Sequence, residues 1–120
     1  MKAKTFQEKW ALLTKYENKP VLTKKNIQSI CVLANDKDAL IRGRCAKLLA
    51  NACASKTKRV LITLAGDKDA LVRTEAYDSL SGFPSKHVQK VLKQAIVHEP
   101  NALARSYAIL SWADVTQALG

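Results

Sequence analysis

Cysteine, glycine, proline and aromatic residues are all scarce in this 120-residue chain, with 3 Cys, 4 Gly, 3 Pro and 6% aromatics. Cys31, Cys45 and Cys53 are odd in number and contain no Cys-x-x-Cys pair. They do not outline the even, dense disulfide framework of a small secreted domain. Zinc needs about four clustered ligands, and the two distant histidines, His87 and His98, do not complete a set. The cysteines read as buried apolar thiols in a reducing, cytoplasmic setting. Apolar runs are short, Val60-Leu61-Ile62 among them, far from the ~20 residues that span a bilayer. Met1-Lys2-Ala3-Lys4 leads into polar Thr5, Gln7 and Glu8, which is no secretory apolar stretch. Acidic residues are half as many as basic ones, 10 against 20, for a net charge of +10. At 48% apolar the chain is too hydrophobic for a disordered basic tail. One domain, 1–120, is expected, since domains run to about 100–150 residues.

What the chain does have is internal repetition. Residues 36–42 read Asp-Lys-Asp-Ala-Leu-Ile-Arg and residues 67–73 read Asp-Lys-Asp-Ala-Leu-Val-Arg. A weaker copy runs from Glu99 to Arg105. Each places an acid six positions before an arginine, as Asp36/Arg42, Asp67/Arg73 and Glu99/Arg105. Apolar residues then recur at spacings of three and four, the period of a helix buried on one side. Second helical stripes lie between the copies, such as Val60, Leu61 and Leu64, or Val88, Val91, Leu92 and Ala95. Short polar side chains at Thr23, Asp36 or Asp38, Asp67 or Asp69, and Ser85 suit helix starts. Pro20, Gly82-Phe-Pro84 and Pro100 supply the breaks. The pattern predicts an all-α chain of about seven helices, near 4–17, 24–34, 38–53, 57–65, 69–81, 86–97 and 101–117. Antiparallel pairs repeat every 31 or so residues and must stack to bury their apolar faces.

On the motif Asp67-x-Asp69-x-x-Val72-Arg73, with Ala76 following, and its counterpart Asp36, Asp38, Ile41, Arg42 and Cys45, the chain resembles the HEAT-like repeat family. The short bacterial type, similar to phycobilisome-lyase repeats, is the nearest form. The resemblance implies a right-handed armadillo-like α-solenoid with clear repeats at 36–65 and 67–97. A degenerate pair at 4–34 precedes them and a partial repeat at 99–117 follows. It implies that Asp36, Arg42, Asp67, Arg73, Glu99 and Arg105 form a structural ladder between repeats rather than a ligand site. It also implies that second helices line the concave face.

The family is mainly a binding scaffold, and the expected function is non-enzymatic protein–protein interaction. No catalytic residue, metal ligand or cofactor is expected: there is no G-x-S-x-G, no P-loop and no paired carboxylates. His98-Glu99 resembles the iron-binding pairs of the HEAT-like deoxyhypusine hydroxylase, but a metal needs several such ligands. A lyase-like or metal-dependent accessory enzyme is therefore the second alternative. Trp112 and Trp10 read as apolar seals at the two ends of the stack. The turns within pairs carry Lys19, Lys24, Lys25, Lys56, Lys58, Arg59, Lys86 and Lys90 against Glu17. The turns between pairs carry five acids against Lys37 and Lys68. This predicts a dipolar slab. Its basic edge makes Lys24, Lys25, Lys56, Lys58, Arg59, Lys86, Lys90 and Lys93 the candidate contacts for an acidic protein surface. The first alternative is nonspecific nucleic-acid binding, which the lack of aromatics among the lysines disfavours. Apolar residues near Tyr107, Leu110 and Trp112 point to self-association through the last helix, or to a further repeat.

Overall fold

The computed structural model describes residues 3–52 and 54–120, so Cys53 lies outside the described residues. Among those described, all regular structure is helical. The elements are α1 (Phe6–Glu17), α2 (Lys24–Leu33), α3 (Ala39–Leu48), α4 (Ser55–Leu64), α5 (Ala70–Leu80), α6 (Lys86–His98) and α7 (Ala102–Leu119). Local chemistry starts most of them. Thr5 and Thr23 each form a capping box, with Glu8 and Asn26 answering their backbone amides. Asp38, Asp69, Ser85 and Asn101 accept first-turn amides of α3, α5, α6 and α7. Most boundaries fall within two residues of the pattern, and the largest departure is in α3. The helix predicted over 38–53 stops at Leu48 and tightens into a 3-10 turn, Leu49–Asn51. The tighter winding brings Leu49 and Ala52, 0% and 1% exposed, into the core.

The helices stack as antiparallel pairs in two layers, forming a body 46 × 28 × 20 Å. First helices α1, α3, α5 and α7 form one layer; second helices α2, α4 and α6 form the other. The first layer is tightly spaced, α3 against α5 and α5 against α7. Gly43 faces Val72 across this seam, and a Cβ there would make an ordinary contact, 3.8 Å from a Val72 methyl. The Ser79 hydroxyl donates to the Ala46 carbonyl at 2.7 Å across the same seam. Second helices touch each other sparsely, and clefts open between them. The second-helix layer is the more loosely packed of the two. Between the layers lie Leu13, Ile30, Ile41, Leu61, Val72, Leu80, Val88, Leu92 and Val115, each 0% exposed. No helix is long and apolar enough to cross a membrane.

Candidate functional site

The charged motif builds a ladder along the first-helix layer. Arg42 grips Asp67 with a two-pronged bond, Nε to Oδ2 at 2.8 Å and Nη2 to Oδ1 at 3.0 Å. Arg73 grips Glu99 the same way at 2.7 and 2.8 Å. In both, Nη1 donates to the carbonyls six and five residues back. Each arginine thus ties its own turn to the acid of the following repeat. The acids are shared: Asp36, Asp67 and Glu99 also accept the amides of Asp38, Asp69 and Asn101. Asp36 is held by Lys9, at 2.5 Å. Lys9 is the fourth residue of α1, as Arg42, Arg73 and Arg105 are the fourth residues of α3, α5 and α7. The N-terminal pair therefore contributes a rung, with lysine in place of arginine. Asp36 is marked in the sequence but no arginine marks its base, so only helix register could have found Lys9. Arg105 differs in turn: Nη1 bonds the Glu99 carbonyl at 3.0 Å, and among the described residues no carboxylate meets its Nε or Nη2.

Burial and pairing compete at these acids. For Asp36 and Asp67, burial pushes the carboxyl up, but the bonds from Lys9 and Arg42 and the backbone amides outweigh it, so both lie below the usual range. Glu99 is drawn down to about 2, first by Arg73, against burial, with help from the Asn101 amide and the Tyr77 hydroxyl. This corrects the dipolar slab. Asp36, Asp67 and Glu99 are turned inward and neutralised, with side chains only 8%, 11% and 1% exposed. Asp38 and Asp69 are spent as helix caps, while Lys37 and Lys68 stay exposed. The between-pair edge presents no acidic face to solvent.

The basic residues remain outside. Lys24, Lys25, Lys56, Arg59, Lys86, Lys90 and Lys93 are exposed, Lys58 is half-buried, and none of the eight pairs with a carboxylate among the described residues. They are not one continuous row. Lys25 joins Lys4, Lys9 and Lys37 around a cleft of about 800 Å³ floored by Leu12, Val32 and Leu33. Lys56 and Arg59 share a smaller cleft between α2 and α4, of about 280 Å³. Neighbours Lys24 and Lys58 turn to other hollows, and Lys86, Lys90 and Lys93 lie along α6. The within-pair edge carries one ion pair, Glu17 to Arg44, and the Arg44 guanidinium also lies 4.2 Å from the centre of the Trp10 ring. Trp10 stacks on Phe6 and ties α1 to α3, so it is a side contact rather than an end seal. On α7 the exposed apolar groups are Leu103, Ile109 and Leu110, at 55%, 46% and 62%. Tyr107 and Trp112 pack partly onto the core, which corrects the surface expected there.

Cys31 and Cys45 are free and buried. Burial raises the Cys31 thiol, against the nearby Lys56, and pushes Cys45 up to about 12, with Asp36 adding to the effect. Thiolate is the reactive form. In a Cys53→Ala background at pH 8, Cys45 should therefore react with an aromatic disulfide reagent only as fast as the fold opens. Labelling that is as fast in buffer as in urea would contradict the burial. Among the described residues no three His, Cys, Asp or Glu side chains converge as a metal site. Residues 27–113 match the family model for HEAT repeats. No curated protein and no solved structure matches the chain.

Proposed function

Since the chain belongs to the HEAT repeat family, we propose that it is a non-enzymatic scaffold that binds another protein, one with an acidic surface, through its basic second-helix side. On this reading residues 1–120 act as one HEAT-like unit, and buried free thiols suit a cytoplasmic, reducing setting. The observation that carries it is the contrast between the two edges. Acids and Arg42 and Arg73 cancel inside the ladder, while Lys24, Lys25, Lys56, Lys58, Arg59, Lys86, Lys90 and Lys93 meet no carboxylate among the described residues, and Lys25, Lys56 and Arg59 stand beside clefts with apolar walls. Unpaired charge over a hydrophobic floor suits a protein partner: charge steers the encounter and apolar contact holds it. A nucleic-acid partner would be served by open aromatic faces among the lysines, but Phe83 beside Lys58 packs partly onto the core, and Phe6 and Trp10 are on the opposite layer, occupied with each other and Arg44.

The test is capture from the native cell with nuclease present, comparing the chain with a Lys56→Glu, Arg59→Glu, Lys90→Glu variant. A protein retained by the first and lost by the second supports the reading. A band shift with duplex DNA or RNA at about 50 mM salt that fades as salt rises, and that the variant abolishes, would replace it with nucleic-acid binding.

A further inference from the structure

The two ends of the stack are built differently. Each first helix has a face that packs back on the preceding repeat and a face that receives the next. The backward face is Ile41, Cys45 and Leu48 in α3, Val72, Ala76 and Ser79 in α5, and Ala104, Ala108 and Ser111 in α7, all buried. At the same register α1 carries Glu8, Leu12 and Lys15, with both charged residues exposed. That face is polar where the later helices bury theirs.

The receiving faces run the other way. In α3, Arg42, Gly43 and Ala46 take α5; in α5, Arg73, Thr74 and Tyr77 take α7. The matching positions in α7 are Arg105, Ser106 and Ile109. Thr74 and Tyr77 are 7% and 3% exposed, whereas Ser106 is exposed and Ile109 is 46% exposed, with Leu110 beside it at 62%. Unlike Glu8 and Lys15 on α1, Ser106 and Ile109 carry no charge. Arg105 is also held as the other rung arginines are, through Nη1 to the carbonyl six residues back. Its Nε and Nη2, the pair that clasps a carboxylate in both complete rungs, point to no acid among the described residues.

We propose that this face of α7 is a second docking surface, separate from the basic side, and that its occupant is a helix of a partner protein carrying an Asp or Glu in the turn just before it. The carboxylate completes the Arg105 fork, and the helix lies over Ser106 and Ile109 as α7 lies over Thr74 and Tyr77 of α5. Charge complementarity selects this occupant over a second copy of the chain stacked end to end. The three rung acids sit three residues before their helices; the same place before α1 is Ala3, followed by exposed Lys4. A second copy would offer Arg105 no carboxylate and a like charge.

A helical, side-chain-stapled peptide of residues 67–81 is the probe, since α5 with Asp67 already fills this role against Arg42. Titrated into the isotopically labelled full chain, it is expected to bind saturably and to shift amide signals of α7. Arg105→Ala in the protein, or Asp67→Asn in the peptide, should each weaken binding about tenfold, and the two changes together no further than one alone. Ile109→Glu should abolish it while helix content is unchanged. Binding that is insensitive to Arg105, or absent at millimolar peptide, overturns the proposal. So does sedimentation showing a dimer that Ile109→Glu breaks, which would make a second copy the occupant. A basic-side variant should bind the peptide normally, which separates this result from the scaffold reading.

Discussion

Arg73→Ala should cost the fold about 3–5 kcal/mol, the range for removing one partner of a buried ion pair. The reason lies in what stays behind. Glu99 is 5% exposed and keeps the Tyr77 hydroxyl and the Asn101 amide, but loses both prongs of its charged partner. Two loop carbonyls, of Asp67 and Lys68, lose their donor as well. Arg105→Ala is the internal comparison: it removes one backbone bond and should cost only about 0.5–1.5 kcal/mol. Urea unfolding followed by circular dichroism measures both; equal losses would mean that water replaces the rung.

The same rung sets a pH dependence. The folded carboxyl of Glu99 lies at about 2, against an ordinary 4.5. A lowered carboxyl adds stability that is fully present above pH 4.5 and is lost as pH falls from there toward 2. Asp36 and Asp67, also lowered, add to the loss below their ordinary 3.8. The urea midpoint should fall through this window, and Glu99→Gln should flatten the upper part of the decline. A midpoint in the parent chain that is level from pH 5 to pH 2.5 would count against the ladder as a source of stability.

Leu61→Ala should be nearly as damaging, at about 2–5 kcal/mol for a buried leucine cut to alanine. Leu61 is 0% exposed on α4, and α4 rests mainly on α5, with little support from α2 or α3. The cavity therefore opens at the main anchor of a second helix. Val32→Ala on the neighbouring α2 removes a side chain that is 66% exposed and should stay within about 0.5 kcal/mol. Comparable losses at the two sites would show that the second-helix layer packs otherwise.

Helix number and most helix starts were legible because they depend on neighbours in sequence. Caps such as Asp69 act on amides two or three residues away, and a stripe of apolar residues is a local periodicity. The repeated Asp-Lys-Asp-Ala-Leu motif likewise announced where rungs would form. Its acids were misplaced at the sequence level because formal charge says nothing of direction. Asp36, Asp67 and Glu99 lie on the between-pair edge, but each reaches inward to a base 25 to 27 residues away.

By itself, then, the sequence determined a stack of helix pairs, its period and its caps, all set by contacts within a few residues. Only the tertiary structure decided the rest. Contacts across the first-helix layer, such as Ser79 to the Ala46 carbonyl, packed those helices closely and left the second helices more loosely joined. Helix register made Lys9 a rung. Among the described residues no carboxylate meets the Arg105 fork, which lies beside Ile109. These outcomes depend on which helix lies against which, and residues 25 or more positions apart meet only when the stack has formed.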